Sequence, residues 1–171
     1  MTNFYKIIAY TDGACSNNGT LNSKGGWAYI IQFDNGKKEI HSAGYVDGTT
    51  NQRMELTAFI EVLKEIKIRW PDINDSVIVL SDSQYVVKGS SEWMYKWEKN
   101  GWKKSKNSLS DVANKDLWKM TFKLVKEIQP TVCWIKDHAE HTFNEQCDNL
   151  ATTAVKMRAN YYKVFRIPKL N

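Results

Sequence analysis

Hydrophobic and polar positions follow two different periods along this chain, and these periods predict strands and helices. Apolar or alternating runs typical of strands occupy residues 6–12, 27–33, 38–46, 77–80 and 131–136. Apolar residues recur every three or four positions in residues 51–69, 113–129 and 145–158, which predicts amphipathic helices. The sequence Asp34-Asn35-Gly36 between the second and third runs favours a hairpin.

The order of these elements predicts the fold class. Three consecutive strands followed by strand–helix–strand units indicate an α/β fold with a five-stranded mixed sheet, its first three strands antiparallel, flanked by helices. A short helix is expected at residues 83–88, and Ser90 or Ser91 can cap another that carries Trp93 and Trp97.

Length and composition indicate one soluble domain. The chain has 171 residues, of which 42% are hydrophobic and 25% charged. No apolar run reaches the roughly 18 residues that a membrane helix needs, and no signal peptide is recognisable, so we expect no membrane association and a cytoplasmic location. The three cysteines lack a Cys-x-x-Cys pair and are expected to be reduced.

Positive charge is concentrated in two segments. The formal net charge is +5, which favours a polyanionic partner. Six lysines lie within residues 88–106, and five basic residues with no acid lie within residues 156–171. We expect residues 156–171 to form a basic C-terminal tail that adds phosphate affinity or is disordered.

Two aspartates follow strands that are expected to be neighbours. If the first and fourth strands are parallel, Asp12 and Asp82 meet at the carboxyl edge of the sheet, with strands about 5 Å apart. An alternative for Asp12 alone is that it starts a turn with Gly13.

Two further acids border the apolar stripes of helices. Glu55 leads onto Phe59 and Leu63, and Asp148 precedes Ala151 and Val155. Alternatively, Glu55 interacts with the helix dipole or pairs with Arg53, and Asp148 is simply exposed. Four converging carboxylates cannot all ionise comfortably without cations, and oxygen ligands suit Mg²⁺ or Mn²⁺ but not zinc.

Five sequence blocks carry a resemblance to a known family. They are Tyr10-Thr-Asp12-Gly-Ala-Cys15, Thr49-Thr-Asn-Gln-Arg-Met-Glu55-Leu56, Ser81-Asp82-Ser-Gln-Tyr85, Trp134-Ile-Lys-Asp-His138 and Asn144-Glu-Gln-Cys-Asp148-Asn-Leu-Ala151. In this order and spacing, over roughly Phe4–Val155, they resemble type 1 ribonuclease H of the bacterial RNase HI kind.

The resemblance implies a ribonuclease H fold and catalytic domain at residues 1–155. It implies endonucleolytic hydrolysis of the RNA strand of RNA–DNA hybrids by a monomer with two Mg²⁺ ions, or Mn²⁺, giving 5′-phosphate and 3′-hydroxyl ends. Asp12 would bridge both metals, Asp148 would help to hold the metal that activates water, and Glu55 and Asp82 would surround the second. His138 matches a mobile histidine that assists proton movement or product release.

The resemblance also implies which residues contact each strand. The RNA strand would be contacted by Cys15, Asn18, Asn51, Gln52 and Gln84. The DNA strand would be contacted by Thr50 and by a basic protrusion, the handle, carrying Trp97, Lys99, Trp102, Lys103 and Lys104. Among the indoles, Trp102 is the best candidate for an exposed contact, whereas Trp97 can equally belong to the core. Asn51 can alternatively be the N-cap of its helix.

Some positions depart from the family pattern, and other functions remain open. The loop around Asn18 is longer and lacks a proline, and Asp137 and Glu140 replace common glycines beside His138. These two acids are expected to raise the pKa of His138. The alternatives to a hybrid ribonuclease are another nuclease or strand-transfer enzyme of this fold, such as an integrase or resolvase, and a catalytically silent hybrid-binding module.

Overall fold

The computed structural model describes residues 6–73, 76–136 and 142–166. The strands are β1 (Ile7–Ser16), β2 (Lys24–Phe33), β3 (Lys38–Asp47), β4 (Val77–Ser81), β5 (Thr131–Trp134) and β6 (Tyr161–Arg166). The helices are α1 (Asn51–Arg69), α2 (Gln84–Lys88), α3 (Met94–Lys99), α4 (Lys115–Ile128) and α5 (Thr142–Met157). None of the helices in the described ranges is long and apolar enough to cross a membrane.

The strands form one mixed sheet in the order β5-β4-β1-β2-β3-β6. β1, β2 and β3 are antiparallel, and β4 and β5 extend the sheet in parallel beside β1. The turn between β2 and β3 places Asp34, Asn35 and Gly36 in the left-handed region, with φ of 53°, 55° and 77°. Asn and Gly tolerate this region, which explains why the predicted hairpin forms there.

The prediction of five strands is wrong by one, because β6 pairs antiparallel with β3 at the edge of the sheet. The Tyr162 hydroxyl contacts the Glu65 and Arg69 side chains of α1 on one face. On the other face, the Phe165 ring lies 4.6 Å from the ring of His41. Part of the expected basic tail is therefore an edge strand of the sheet, and its aromatic residues make contacts on both faces.

Helices cover both faces of the sheet. On one face, α1 buries the predicted stripe through Phe59, Val62, Leu63 and Ile66 and packs against α4. On the other, α5 packs through small residues, and a Cβ on Gly26 of β2 would lie 2.1 Å from the carbonyl oxygen of Ala151. Small residues therefore let α5 lie close enough to the sheet to bring Asp148 near β1.

Two helix predictions need correction. The helix predicted over residues 113–129 places Met120 in its apolar stripe together with Leu117, Leu124 and Ile128, but Met120 of α4 is 43% exposed and Trp118 is buried instead. α2 continues through a π turn at Gly89–Trp93 into α3, and the Ser90 and Ser91 hydroxyls donate to the carbonyl of Val87 instead of capping a helix. The Trp118 ring packs on Gly89, where a Cβ would lie 1.9 Å from it.

Candidate active site

Asp12 and Asp82 meet at the end of the β1–β4 pairing. The last parallel pair joins Thr11 and Ser81, and the two aspartates are the residues that follow this pair in the chain. Asp12 does not end its strand, because β1 continues to pair with β2 as far as Ser16. The interpretation of Asp12 and Gly13 as a turn is therefore wrong.

Gly13 has a steric role instead. A Cβ at this position would lie 2.3 Å from the backbone nitrogen of Glu55 and 2.5 Å from the carbonyl carbon of Met54. The first turn of α1 thus lies directly on β1, which only a residue without a side chain allows. This contact places Glu55 beside Asp12.

Three carboxylates converge here. One oxygen from each of Asp12, Glu55 and Asp82 lies within 4.8 Å of the others. Glu55 is only 8% exposed. Burial, followed by the charges of Asp12 and Asp82, raises the pKa of Glu55 well above its usual value, while hydrogen bonds from the Asn51 side chain and the Gly13 backbone act in the opposite direction.

This group fits a divalent cation. The Glu55 Oε2 atom is buried and has no hydrogen-bond partner within the described part of the chain. A buried oxygen without a partner is costly, and a cation bound by these carboxylates would satisfy it while removing their mutual repulsion. Carboxylate oxygens are ligands that Mg²⁺ and Mn²⁺ prefer.

Asp148 does not belong to this close group. It lies on α5, partly exposed, next to the buried Cys147, whose thiol donates to the Tyr10 carbonyl oxygen at 3.4 Å. Burial first, and then the charges of Asp12, Asp82 and Asp148, raise the pKa of the Cys147 thiol. Asp148 therefore lies near the carboxylate group, and its part in metal binding stays a prediction.

Two residues that sequence reasoning missed hold Asp82. The Asn144 side chain donates from Nδ2 to Asp82 Oδ2 at 3.0 Å, and the Trp134 indole donates to the Asp82 carbonyl oxygen at 3.0 Å. The sequence contains a signal for the first of these, because Asn144 precedes Asp148 by four residues and so shares its face of α5.

The alternative in which Arg53 forms an ion pair with Glu55 is wrong. The Arg53 guanidinium makes two hydrogen bonds to the Asp116 carboxylate, at 3.0 and 2.7 Å, and another to Asn114 at 3.3 Å. The pKa of Asp116 is lowered chiefly by the hydrogen bond from Arg53. The start of α1 is thereby attached to the start of α4.

Most residues expected to contact RNA surround the start of α1. Thr50 is the N-cap, accepting from the Arg53 backbone at 3.3 Å, so the alternative that Asn51 caps the helix is wrong. The Asn18 side chain accepts from the Asn51 backbone at 3.1 Å, and the Cys15 thiol donates to the Thr49 carbonyl at 3.7 Å.

The two glutamines expected to contact RNA are both exposed. Gln52 lies in the first turn of α1, and Gln84 begins α2 two residues after Asp82. The residues expected to contact RNA therefore include one that is close in the chain to Glu55 and one that is close to Asp82.

The two tryptophans of the handle are buried or half-buried against other aromatic rings. Trp102 is only 9% exposed and packs edge-on against Phe122, with ring centroids 5.9 Å apart, so the expectation of an exposed indole there is wrong. Trp97 is half-buried against Trp118 at 5.4 Å. The burial of both rings depends on α4, which follows the handle in the chain.

The handle lysines differ in their contacts. The Lys103 ammonium lies 2.5 Å from an Asp111 carboxylate oxygen and 3.2 Å from the Leu109 carbonyl oxygen. Lys99 and Lys104 are exposed and face solvent. His138, with Asp137 and Glu140 beside it, lies outside the described residues, and its role stays a prediction.

Comparison with known proteins identifies the family. The sequence profile of the RNase H family matches residues 5–156. A ribonuclease H of Treponema denticola is 43% identical over 158 residues, covering 86% of this chain and 96% of the relative. A ribonuclease HI of Neisseria meningitidis serogroup B is 43% identical over 145 residues, covering 85% of this chain and 92% of the relative.

Solved structures with similar folds agree with this assignment. The type 1 RNase H called LC9-RNase H1, which has the type 2 active-site motif, superposes with a TM-score of 0.78 at 25% identity, covering 94% of this chain and 76% of that one. LC11-RNase H1, solved in complex with an RNA/DNA hybrid, superposes with a TM-score of 0.63 at 19% identity, covering 90% and 99%. The chain therefore belongs to the RNase H family of nucleases.

Proposed function

We propose that the protein hydrolyses the RNA strand of RNA–DNA hybrids as an endonuclease with two divalent cations, giving 5′-phosphate and 3′-hydroxyl ends. The observation that carries this proposal is the convergence of Asp12, Glu55 and Asp82, with oxygens within 4.8 Å of one another. Membership of the RNase H family supports the reaction class, and the three converging carboxylates support the binding of the metal that this reaction needs.

Asp12, Glu55 and Asp82 would hold the metal, and Asp148 on α5 would complete the set. Two bound Mg²⁺ ions supply Lewis-acid stabilisation of the attacking and leaving oxygens of an in-line displacement. The protein presents these carboxylates from β1, from α1 and from the residue after β4, and all three elements contribute residues to the hydrophobic core. Mn²⁺ has the same preference for oxygen ligands and would occupy the same site.

The choice of the RNA strand requires groups that sense the 2′-hydroxyl. Cys15 (chiefly through its backbone), Asn18, Asn51, Gln52 and Gln84 offer such groups around the start of α1 and α2. An RNA/DNA hybrid is accommodated by LC11-RNase H1, which has this fold. The start of α1 thus carries Glu55 together with two of the residues proposed to recognise RNA, Asn51 and Gln52.

The handle and the α1 N-cap would hold the DNA strand. Lys99 and Lys104 are exposed cations suited to sequence-independent phosphate contacts, and Thr50 at the N-cap of α1 would add a separate phosphate contact. Lys103, already paired with Asp111, would contribute less, and Trp97 and Trp102 would support the handle from within.

Three further assignments complete the proposal. His138 would assist proton movement or product release. The protein would act in the cytoplasm, in keeping with its three free cysteines, and as a monomer. Sedimentation of the free protein and of its complex with hybrid would test the last assignment.

A substrate panel tests the proposal directly. Labelled RNA–DNA hybrid, duplex DNA and duplex RNA are incubated with the protein in Mg²⁺, together with Asp82→Asn and the matched control Asp72→Asn, whose exposed carboxylate lies beyond the opposite end of α1 from Glu55. We expect wild type and the control to cut only the RNA of the hybrid, and Asp82→Asn to cut nothing. Cutting of duplex DNA would indicate another nuclease of this fold, and wild type without activity would indicate a silent binding module.

A further inference from the structure

We propose that Asn144 is a positioning residue whose side-chain amide fixes the Asp82 carboxylate for binding a divalent cation. The inference rests on the proposed function, because it assigns a role within the same site. Asn144 donates from Nδ2 to Asp82 Oδ2 at 3.0 Å and is only 3% exposed. The hydrogen bond joins α5, which carries Asp148, to the residue that follows β4.

A side-chain amide suits this position because it carries no net charge. Three carboxylates already lie within 4.8 Å of one another, so a cationic side chain would compete with a metal for their oxygens. A neutral N–H donor orients one carboxylate oxygen without neutralising it. Because a carboxylate oxygen accepts more than one bond, Asp82 Oδ2 can accept from Asn144 and still contribute to cation binding.

The second polar atom of Asn144 argues that the amide serves the site and not the fold. Asn144 Oδ1 is buried and has no hydrogen-bond partner within the described residues. Such an atom disfavours folding, so an apolar side chain of similar size would suit the fold better. Oδ1 belongs to the same planar amide as Nδ2 and so lies beside the site, where the O–H groups of a hydrated Mg²⁺ are suitable donors.

Asp82 is restrained at its backbone as well. The Trp134 indole of β5 donates to the Asp82 carbonyl oxygen at 3.0 Å. With the backbone fixed by Trp134, the remaining freedom of Asp82 is rotation of its side chain, and this is the freedom that Asn144 restricts. The two contacts therefore act on different torsions of the same residue.

Asn144→Leu tests the inference, with Asn144→Ala as a second variant and Asn149→Ala as the control on an exposed position of the same helix. Mn²⁺ binding to each protein without nucleic acid is measured by calorimetry, together with the urea midpoint and with kcat and KM for hybrid. We expect Asn144→Leu to keep or raise the urea midpoint, to bind Mn²⁺ about 10–100-fold more weakly and to lose kcat by a similar factor, with KM unchanged.

Three results would overturn the inference. The first is that both Asn144 variants bind Mn²⁺ as tightly as wild type. The second is that Asn149→Ala loses as much Mn²⁺ affinity and kcat as Asn144→Leu, and the third is that the loss of Mn²⁺ affinity parallels a fall in the urea midpoint. If wild type fails to cut hybrid, the proposed function falls, and the calorimetry alone decides the role of Asn144.

Discussion

The backbone nitrogen of Glu55 occupies the space that a side chain at Gly13 would need, since a Cβ there would lie 2.3 Å from it. This contact sets the distance between α1 and β1 and therefore the distance between the Glu55 and Asp12 carboxylates. A steric requirement in the core and a chemical requirement at the site are met by the same glycine.

Gly13→Ala should consequently affect stability and activity together. The added methyl group must push the first turn of α1 away from β1, which we expect to cost about 2–3 kcal/mol of unfolding free energy and to lower kcat more than the folded fraction explains. Gly36→Ala is the matched control, because its left-handed backbone costs about 1 kcal/mol while the space around it is open and distant from the site. Chemical denaturation and hybrid cleavage measure both effects, and equal activity losses in the two variants would contradict the expectation.

The raised pKa of Glu55 predicts how stability depends on pH without metal. The folded state holds the Glu55 proton more tightly than the unfolded state, so this contribution is fully present below the usual glutamate pKa, about 4.3, and is lost as pH rises through the folded-state value. In the presence of a metal chelator, the unfolding free energy of wild type should fall as pH rises from about 4.3 through the folded-state pKa of Glu55. The same measurement on Glu55→Gln should show a smaller fall. Parallel curves for the two proteins would show that Glu55 is not the group responsible.

Excess Mg²⁺ should reverse this loss. A cation that binds the ionised carboxylates of the folded state stabilises that state by mass action. Wild type is therefore expected to gain stability from Mg²⁺ mainly at the upper end of the pH window, where Glu55 ionises. Urea titrations with and without Mg²⁺ at two pH values measure the gain, and a gain that is the same at both would contradict the metal assignment.

Lys104 should contribute to hybrid affinity through charge alone. Lys104→Ala is expected to weaken binding similarly for all sequences and to reduce the slope of log affinity against log salt by about 1. Lys37→Ala, in the exposed hairpin at the other end of the sheet, provides the control and should leave the slope unchanged. Fluorescence anisotropy with labelled hybrid in Ca²⁺ buffer measures the affinity of both variants as salt increases. An unchanged slope for Lys104→Ala would show that Lys104 does not contact the nucleic acid.

Trp102 should act through stability. Because it is buried against Phe122, Trp102→Ala is expected to cost about 3 kcal/mol of unfolding free energy, and Trp102→Phe much less. Hybrid affinity of the folded Trp102→Phe protein should match wild type. If Trp102→Phe binds hybrid more weakly while its unfolding free energy is unchanged, the Trp102 indole contacts the nucleic acid and the expectation is wrong.

The sequence predicted α1 at residues 51–69 with both ends correct, because its apolar stripe is long and Pro71 follows it. It also predicted that Asp12 and Asp82 lie side by side, since that follows from parallel pairing. It did not predict β6, whose lysine and arginine resemble a solvated tail. Its partner β3 lies more than a hundred residues earlier, and no local signal shows that pairing.

The sequence predicted that Asp12, Glu55 and Asp82 converge, but it did not predict the residues that hold them in place. Carboxylates at strand ends stand out in a sequence, whereas the contact of Asn144 with Asp82 depends on how α5 crosses the sheet. A turn at Asp12 and Gly13 is one alternative from the sequence, because Asp-Gly pairs favour turns, but the tertiary contact with Glu55 decides the role of Gly13. Trp102 was expected to be exposed because its neighbours are charged, yet the later helix α4 buries it.

Asp12→Asn tests the central claim most directly, because it removes one charge from the carboxylate group and keeps the shape of the side chain. Hybrid cleavage in Mg²⁺ and the unfolding free energy in chelator are measured on the same preparation. We expect no detectable cleavage and a free energy equal to wild type or higher by roughly 1 kcal/mol, since a repulsion with Glu55 and Asp82 is removed. Cleavage at the wild-type rate, or a variant that no longer folds, would contradict the assignment of Asp12 to a metal-binding active site.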